Sequence, residues 1–92
     1  MNSKTARDCA INAFLWLSGQ EHQFQTFLNV SGASIEDLKN RIKDPEFLSF
    51  ILDFFMTSDE LILKLSEDLN ISPEHIQMAR SVLSGGDEVH WT

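Results

Sequence analysis

A chain of 92 residues with 42% hydrophobic and 23% charged side chains has the composition of one globular domain. A second core would have too little chain to enclose it, and such a composition is not that of a disordered segment. The single cysteine excludes an internal disulfide framework, and a formal net charge of −7 opposes sequence-independent binding to phosphate backbones. Area scaling gives about 5,400 Å² of accessible surface for the folded chain, against about 15,000 Å² for the unfolded one.

Helix caps punctuate the chain. Ser3 is placed to cap a first helix running to about Leu17. Its buried face is Ala6, Ala10, Ala13, Phe14 and Leu17, at three-four spacing. Lys4 and Arg7 before the run from Cys9 to Leu17 loosely mimic a signal peptide. Asp8 offsets that charge and Asn12 interrupts the apolar run, so the segment reads as an amphipathic helix. Gly19 is expected to end it in the left-handed conformation.

A second helix spans about Glu21 to Val30, with Phe24, Phe27 and Leu28 on one side, and Gly32 stops it. Ser34 caps a third, with Asp37 in the reciprocal position of a capping box. Ile35, Leu38 and Ile42 form its apolar stripe, and Lys39, Arg41 and Lys43 gather where positive charge complements the helix dipole.

Asp44-Pro45-Glu46 restarts the chain as a fourth helix, about Pro45 to Thr57. It is apolar on most sides, with Glu46, Ser49, Asp53 and Thr57 as its one polar stripe. A helix this apolar must be enclosed by neighbours, so it belongs at the centre of the domain. Ser58 caps a fifth helix, whose Leu61, Ile62, Leu65 and Leu69 face inward and which Asn70 ends in a left-handed turn. Ser72-Pro73-Glu74 opens a sixth, with Ile76, Ala79, Val82 and Leu83 buried. Gly85-Gly86 stops it.

The fold class is therefore all-α: a compact bundle of about six short helices with crossed packing. Residues 1–84 are expected to form the domain, and 85–92 a short flexible tail. A weak repeat relates the second and third helices to the fifth and sixth, each pair joined by a tight turn into a serine cap.

The order Phe27-Leu28, Ser31-Gly32, Asp37-Leu38, Arg41, Asp44-Pro45-Glu46-Phe47-Leu48 and Ile51-Leu52-Asp53-Phe54 resembles a known family. The likeness continues through Ser58-Asp59-Glu60, Leu63, Leu69 to Glu74 and Ala79-Arg80. These residues are similar to the small alphaproteobacterial proteins grouped as Domain of Unknown Function 3572. The resemblance covers about residues 5–84, with Asn70 standing where a glycine is expected. It implies no activity and no catalytic residues.

The chemistry-bearing residues favour no reaction. The serines sit mainly at caps and helix ends, where backbone hydrogen bonding accounts for them. Cys9 reads as a small apolar side chain. His22, His75 and His90 are isolated, and no zinc or di-metal spacing is present, so no cofactor is expected.

The fifth and sixth helices have helix-turn-helix spacing, but Glu74, Gln77 and Arg80 on the outward face and Glu67 and Asp68 before it would repel phosphates. A transcription-associated nucleic-acid-binding protein is therefore the alternative, not the leading reading.

What remains is interaction. The expectation is a cytoplasmic, non-enzymatic domain whose partner is another protein or a second copy of itself. Neither nucleic acid nor a membrane is expected as partner. One candidate surface is aromatic: Phe50, Phe54 and Phe55 with Trp16, unless the other helices bury them. The other is the tail, where His90 and Trp91 resemble a docking peptide with an aromatic anchor. Plainer readings of the tail are a frayed terminus, or Trp91 folding back on its own domain.

Overall fold

Five of the six helices begin where a short polar side chain accepts a hydrogen bond from an otherwise orphaned N–H. In the computed structural model, which describes residues 1–85, they are α1 (Ser3–Ser18), α2 (Glu21–Ser31), α3 (Ile35–Arg41), α4 (Pro45–Met56), α5 (Asp59–Leu69) and α6 (Pro73–Leu83). Ser34 and Asp37 form a complete capping box, each accepting from the other's backbone N–H. Asp44, Ser58 and Ser72 cap α4, α5 and α6, and proline occupies the first turn of α4 and α6. Only α2 starts without a side-chain cap: Gln20 precedes it and gives no such bond.

Two terminal assignments differ from the sequence reading. Asn2, not Ser3, caps α1, because its Oδ1 accepts from Thr5 N–H at 2.7 Å. Gly19 has φ −88°, so it is not left-handed. The last turn of α1 tightens instead, with Gln20 N–H donating to the Leu17 carbonyl at 2.8 Å. The left-handed exits do occur after α2 and α5, at Gly32 (φ 70°) and Asn70 (φ 56°).

The main layer is built from α1, α4 and α6, which pack on one another more extensively than other pairs do. On α1 the inner face carries Ala6, Ala10 and Ala13, and on α6 it carries Ala79, all fully buried. Such small side chains let the helix axes approach closely. The expected central position of α4 holds: it also packs on α5, takes Phe27 of α2 against its aromatic rings, and receives Arg41 of α3 over the Phe47 ring at 5.7 Å. That centre is shared with α1 and α6.

The polar stripe of α4 does not all face water. Ser49 is only 8% exposed, and Asp53, about one turn on, pairs with Arg80 of α6. The stripe is turned partly toward a neighbouring helix. Ile35 goes the other way: placed in the apolar stripe of α3, it is 64% exposed, as the first residue of a two-turn helix. The accessible surface is 5701 Å², close to the scaling value of about 5,400 Å². No helix among the described residues is long and apolar enough to cross a membrane.

Candidate interaction surface

The four aromatic candidates in the described part of the chain divide by position on their helices. Phe55 is fully buried and meets Trp16 at 5.9 Å and Phe54 at 6.2 Å between ring centroids, so it offers no face to a partner. Trp16 is half-buried, and its indole N–H is already used: Nε1 donates to Asp68 Oδ2 at 2.7 Å, tying α1 to α5. Phe50 and Phe54 are half-buried and flank Phe27, at 5.7 and 5.3 Å. His90 and Trp91 lie outside the described residues.

Phe50 and Phe54 open into two grooves, one toward each end of α2. Phe50 lies in the first, with Val30, Ser31 and Arg41 among its neighbours. Phe54 lies in the second, among His22, Thr26, Glu60 and Lys64. The hydroxyls beside Phe54 are committed to backbone: Thr26 donates to the His22 carbonyl, Thr57 to that of Phe54, and Ser58 caps α5. These are mixed surfaces, with an aromatic side chain among charges.

A more apolar groove lies elsewhere, between α5 and α6 at the C-terminal end of α4. Met56, Ile62, Leu63 and Pro73 line it, with Asp59 and Gln77 as its polar members. Leu63 is 58% exposed. Sequence reasoning passed over it because Leu61, Ile62, Leu65 and Leu69 already complete the inward stripe of α5. The available signal was that Leu63 falls outside that stripe. Leu15, Ile35 and Met78 are also exposed but line none of these three grooves, and apolar residues scattered singly over a surface are ordinary.

Other chemistry is sparse. Burial pushes the Cys9 thiol above its ordinary pKa, the reverse of what a reactive thiolate needs. Among the described residues no three His, Cys, Asp or Glu side chains are grouped to hold a metal. Arg80, expected outward on the second helix of the helix-turn-helix-like pair, is half-buried and paired with Asp53. The paired-turn likeness stops at the turns as well. α6 has 11 residues and packs in the main layer, whereas α3 has 7 and packs at the edge.

A sequence model described as "Protein of unknown function (DUF3572)" matches residues 3–86, nearly the whole chain. The chain belongs to this family. The DUF3572 match therefore encloses all six helices and each of the grooves above. Neither the curated proteins nor the solved structures yield a match.

Proposed function

We propose that this DUF3572 chain is a non-catalytic, cytoplasmic interaction domain. In this reading its α5–α6 groove holds a basic segment of another protein through one apolar anchor. The observation that carries this reading is Leu63, more than half exposed beside Met56, Ile62 and Pro73, with Asp59 at the groove. An apolar anchor entering such a groove would remove Leu63 from water, and burying a leucine is worth about 1.5–3 kcal/mol.

Charge selects the partner. A chain of net charge −7 attracts a basic segment and repels a second copy of itself, so a different protein is favoured over self-association.

The test is a comparative pull-down from native lysate with the full chain and its Leu63→Glu variant. An exposed substitution of this kind leaves stability within about 0.5 kcal/mol. A protein retained by the parent and lost by the variant, then rebinding as a purified component with affinity that falls as salt rises, supports the reading. Retention by both chains, or by neither, refutes it.

A further inference from the structure

Five of the seven Lys and Arg residues lie within residues 1–43, together with only four of the fourteen acids, although the whole chain is acidic. Three of those cations meet in one groove between α1 and the turn that follows α3. Lys4, Arg7, Asp8 and Ile11 of α1 form one wall, and Ile42 and Lys43 form the other. Helices α1 and α3 scarcely touch each other, which leaves the groove open between them.

Lys4 is paired with Asp8 at 3.2 Å, an exposed i,i+4 bridge. Arg7 and Lys43 are exposed, and among the described residues no carboxylate pairs with either. The carbonyls at the end of α3 do not draw on the Lys43 ammonium. That of Asn40 accepts from Lys43 N–H at 3.4 Å, and that of Arg41 from Asp44 N–H at 2.8 Å. Ile11 and Ile42 are half-buried against the core and give the groove an apolar step beside its two unpaired cations.

The net charge of −7 does not decide what this groove attracts. At physiological ionic strength charges are largely screened beyond about 8 Å. A segment entering the groove therefore meets two unpaired cations and one neutralised pair. Two cations beside an apolar step select carboxylates joined to an apolar side chain. A phosphate backbone has no group for the step and would set its own charge against Asp8.

Spacing gives the order of those groups. Arg7 and Ile11 are four residues apart on α1, a rise of about 6 Å. Alternate side chains of an extended segment stand on one side, about 6.6–6.8 Å apart. An acid and an apolar residue two positions apart thus span from Arg7 to Ile11.

We infer that the groove between α1 and α3 is a second docking site, taking an extended acidic segment of another protein. One carboxylate meets Arg7, a second meets Lys43, and an apolar side chain two positions from the first rests on Ile11 and Ile42. The site shares no lining residue with the α5–α6 groove, so the two stand or fall independently. Together they make the chain a bridge between a basic segment and an acidic one.

The test is an array of random octapeptides screened with the full chain and with Leu63→Glu, which disables only the α5–α6 groove. Both chains are expected to enrich Asp or Glu two positions from an aliphatic or aromatic residue. The best peptide should shift the backbone amides of Lys4 to Ile11 and of Ile42 and Lys43 in heteronuclear NMR spectra. Arg7→Glu, an exposed substitution, should weaken that peptide about tenfold or more, the value of one hydrogen bond to a charged group. Lys43→Gln, milder in its effect on the fold, should weaken it too and serves alone if Arg7→Glu does not fold. No acidic enrichment, shifts confined to other residues, or affinity indifferent to these substitutions overturns the inference. So does inorganic phosphate giving the same shifts at the same concentration, which would assign the groove to a small anion. Self-association at low salt that Arg7→Glu abolishes would make a second copy the occupant and overturns it as well.

Discussion

Replacing Phe27 with alanine tests whether α2 is part of the core or an appendage to it. Phe27 is fully buried, and its ring lies 6.1 Å from Phe14, 6.0 Å from Phe47, 5.7 Å from Phe50 and 5.3 Å from Phe54. One side chain thus joins α2 to both α1 and α4. Phe→Ala at a buried site costs about 3–5 kcal/mol, and aromatic pairs of this geometry place Phe27 in the upper half of that range. A chain of this length has about 5–14 kcal/mol of total stability, so a loss of about 4 kcal/mol removes a large part of it. The corresponding fall in Tm is roughly 16–32 °C. Urea unfolding followed by circular dichroism reads the change, with Phe24→Ala as the control. Phe24 is half-buried and has one recorded ring partner, Phe14 at 5.9 Å, so its loss is expected to cost about 1–2 kcal/mol. If Phe27→Ala costs less than about 2 kcal/mol, or no more than Phe24→Ala, α2 is not held through this ring and the reasoning fails.

Three further outcomes follow from single contacts. Asp68→Ala removes the acceptor of the Trp16 indole and should lower stability by about 1 kcal/mol, with Asp68→Asn milder because its amide oxygen still accepts; denaturant midpoints separate the two. Asn70→Ala places a Cβ-bearing residue with no local hydrogen-bonding side chain at φ 56° and should cost about 1 kcal/mol, while Asn70→Gly is neutral or stabilising in the same assay. Cys9 should resist alkylation in the native chain and react quickly in denaturant. Because burial holds its proton to higher pH than in the unfolded chain, the unfolded state ionises first. Stability therefore falls as the pH rises through the ordinary thiol range, and a flat alkaline profile for the parent against Cys9→Ala contradicts this.

Much of the helical layout is legible in the sequence because its boundaries are chemical, not statistical. Asp44-Pro45 and Ser72-Pro73 each combine a cap with a residue that cannot sit later in a helix, and Ser34 with Asp37 closes a reciprocal pair. Errors arise where two local solutions compete. Asn2 and Ser3 are both good caps, and only the chain direction at Thr5 decides between them. Gly19 permits the left-handed exit without requiring it. Ser49 and Ile35 show a different limit: helical spacing tells which residues share a face, but not what stands opposite that face.

The surface was read less well for the same reason. Phe54 and Phe55 are adjacent and chemically identical, yet one opens into a groove and the other is fully enclosed. No property of the two residues themselves distinguishes them. Leu63 falls outside the inward stripe of α5, but that it borders a groove depends on Pro73 and Gln77 of α6 lying beside it.

The missing cap on α2 has a consequence for how the molecule opens. Its first N–H groups receive no side-chain acceptor, and its order rests on Phe27 and on packing against α1. The other five helices begin with a bonded cap. Local opening is set by the weakest cooperative unit, so backbone amides of α2 should exchange with solvent deuterium through partial excursions that leave α1, α4 and α6 assembled. In such excursions the rings of Phe47, Phe50 and Phe54 lose their cover together. The segment of the fold that spends longest in this state is then also the one that transiently presents the chain's largest aromatic cluster to water.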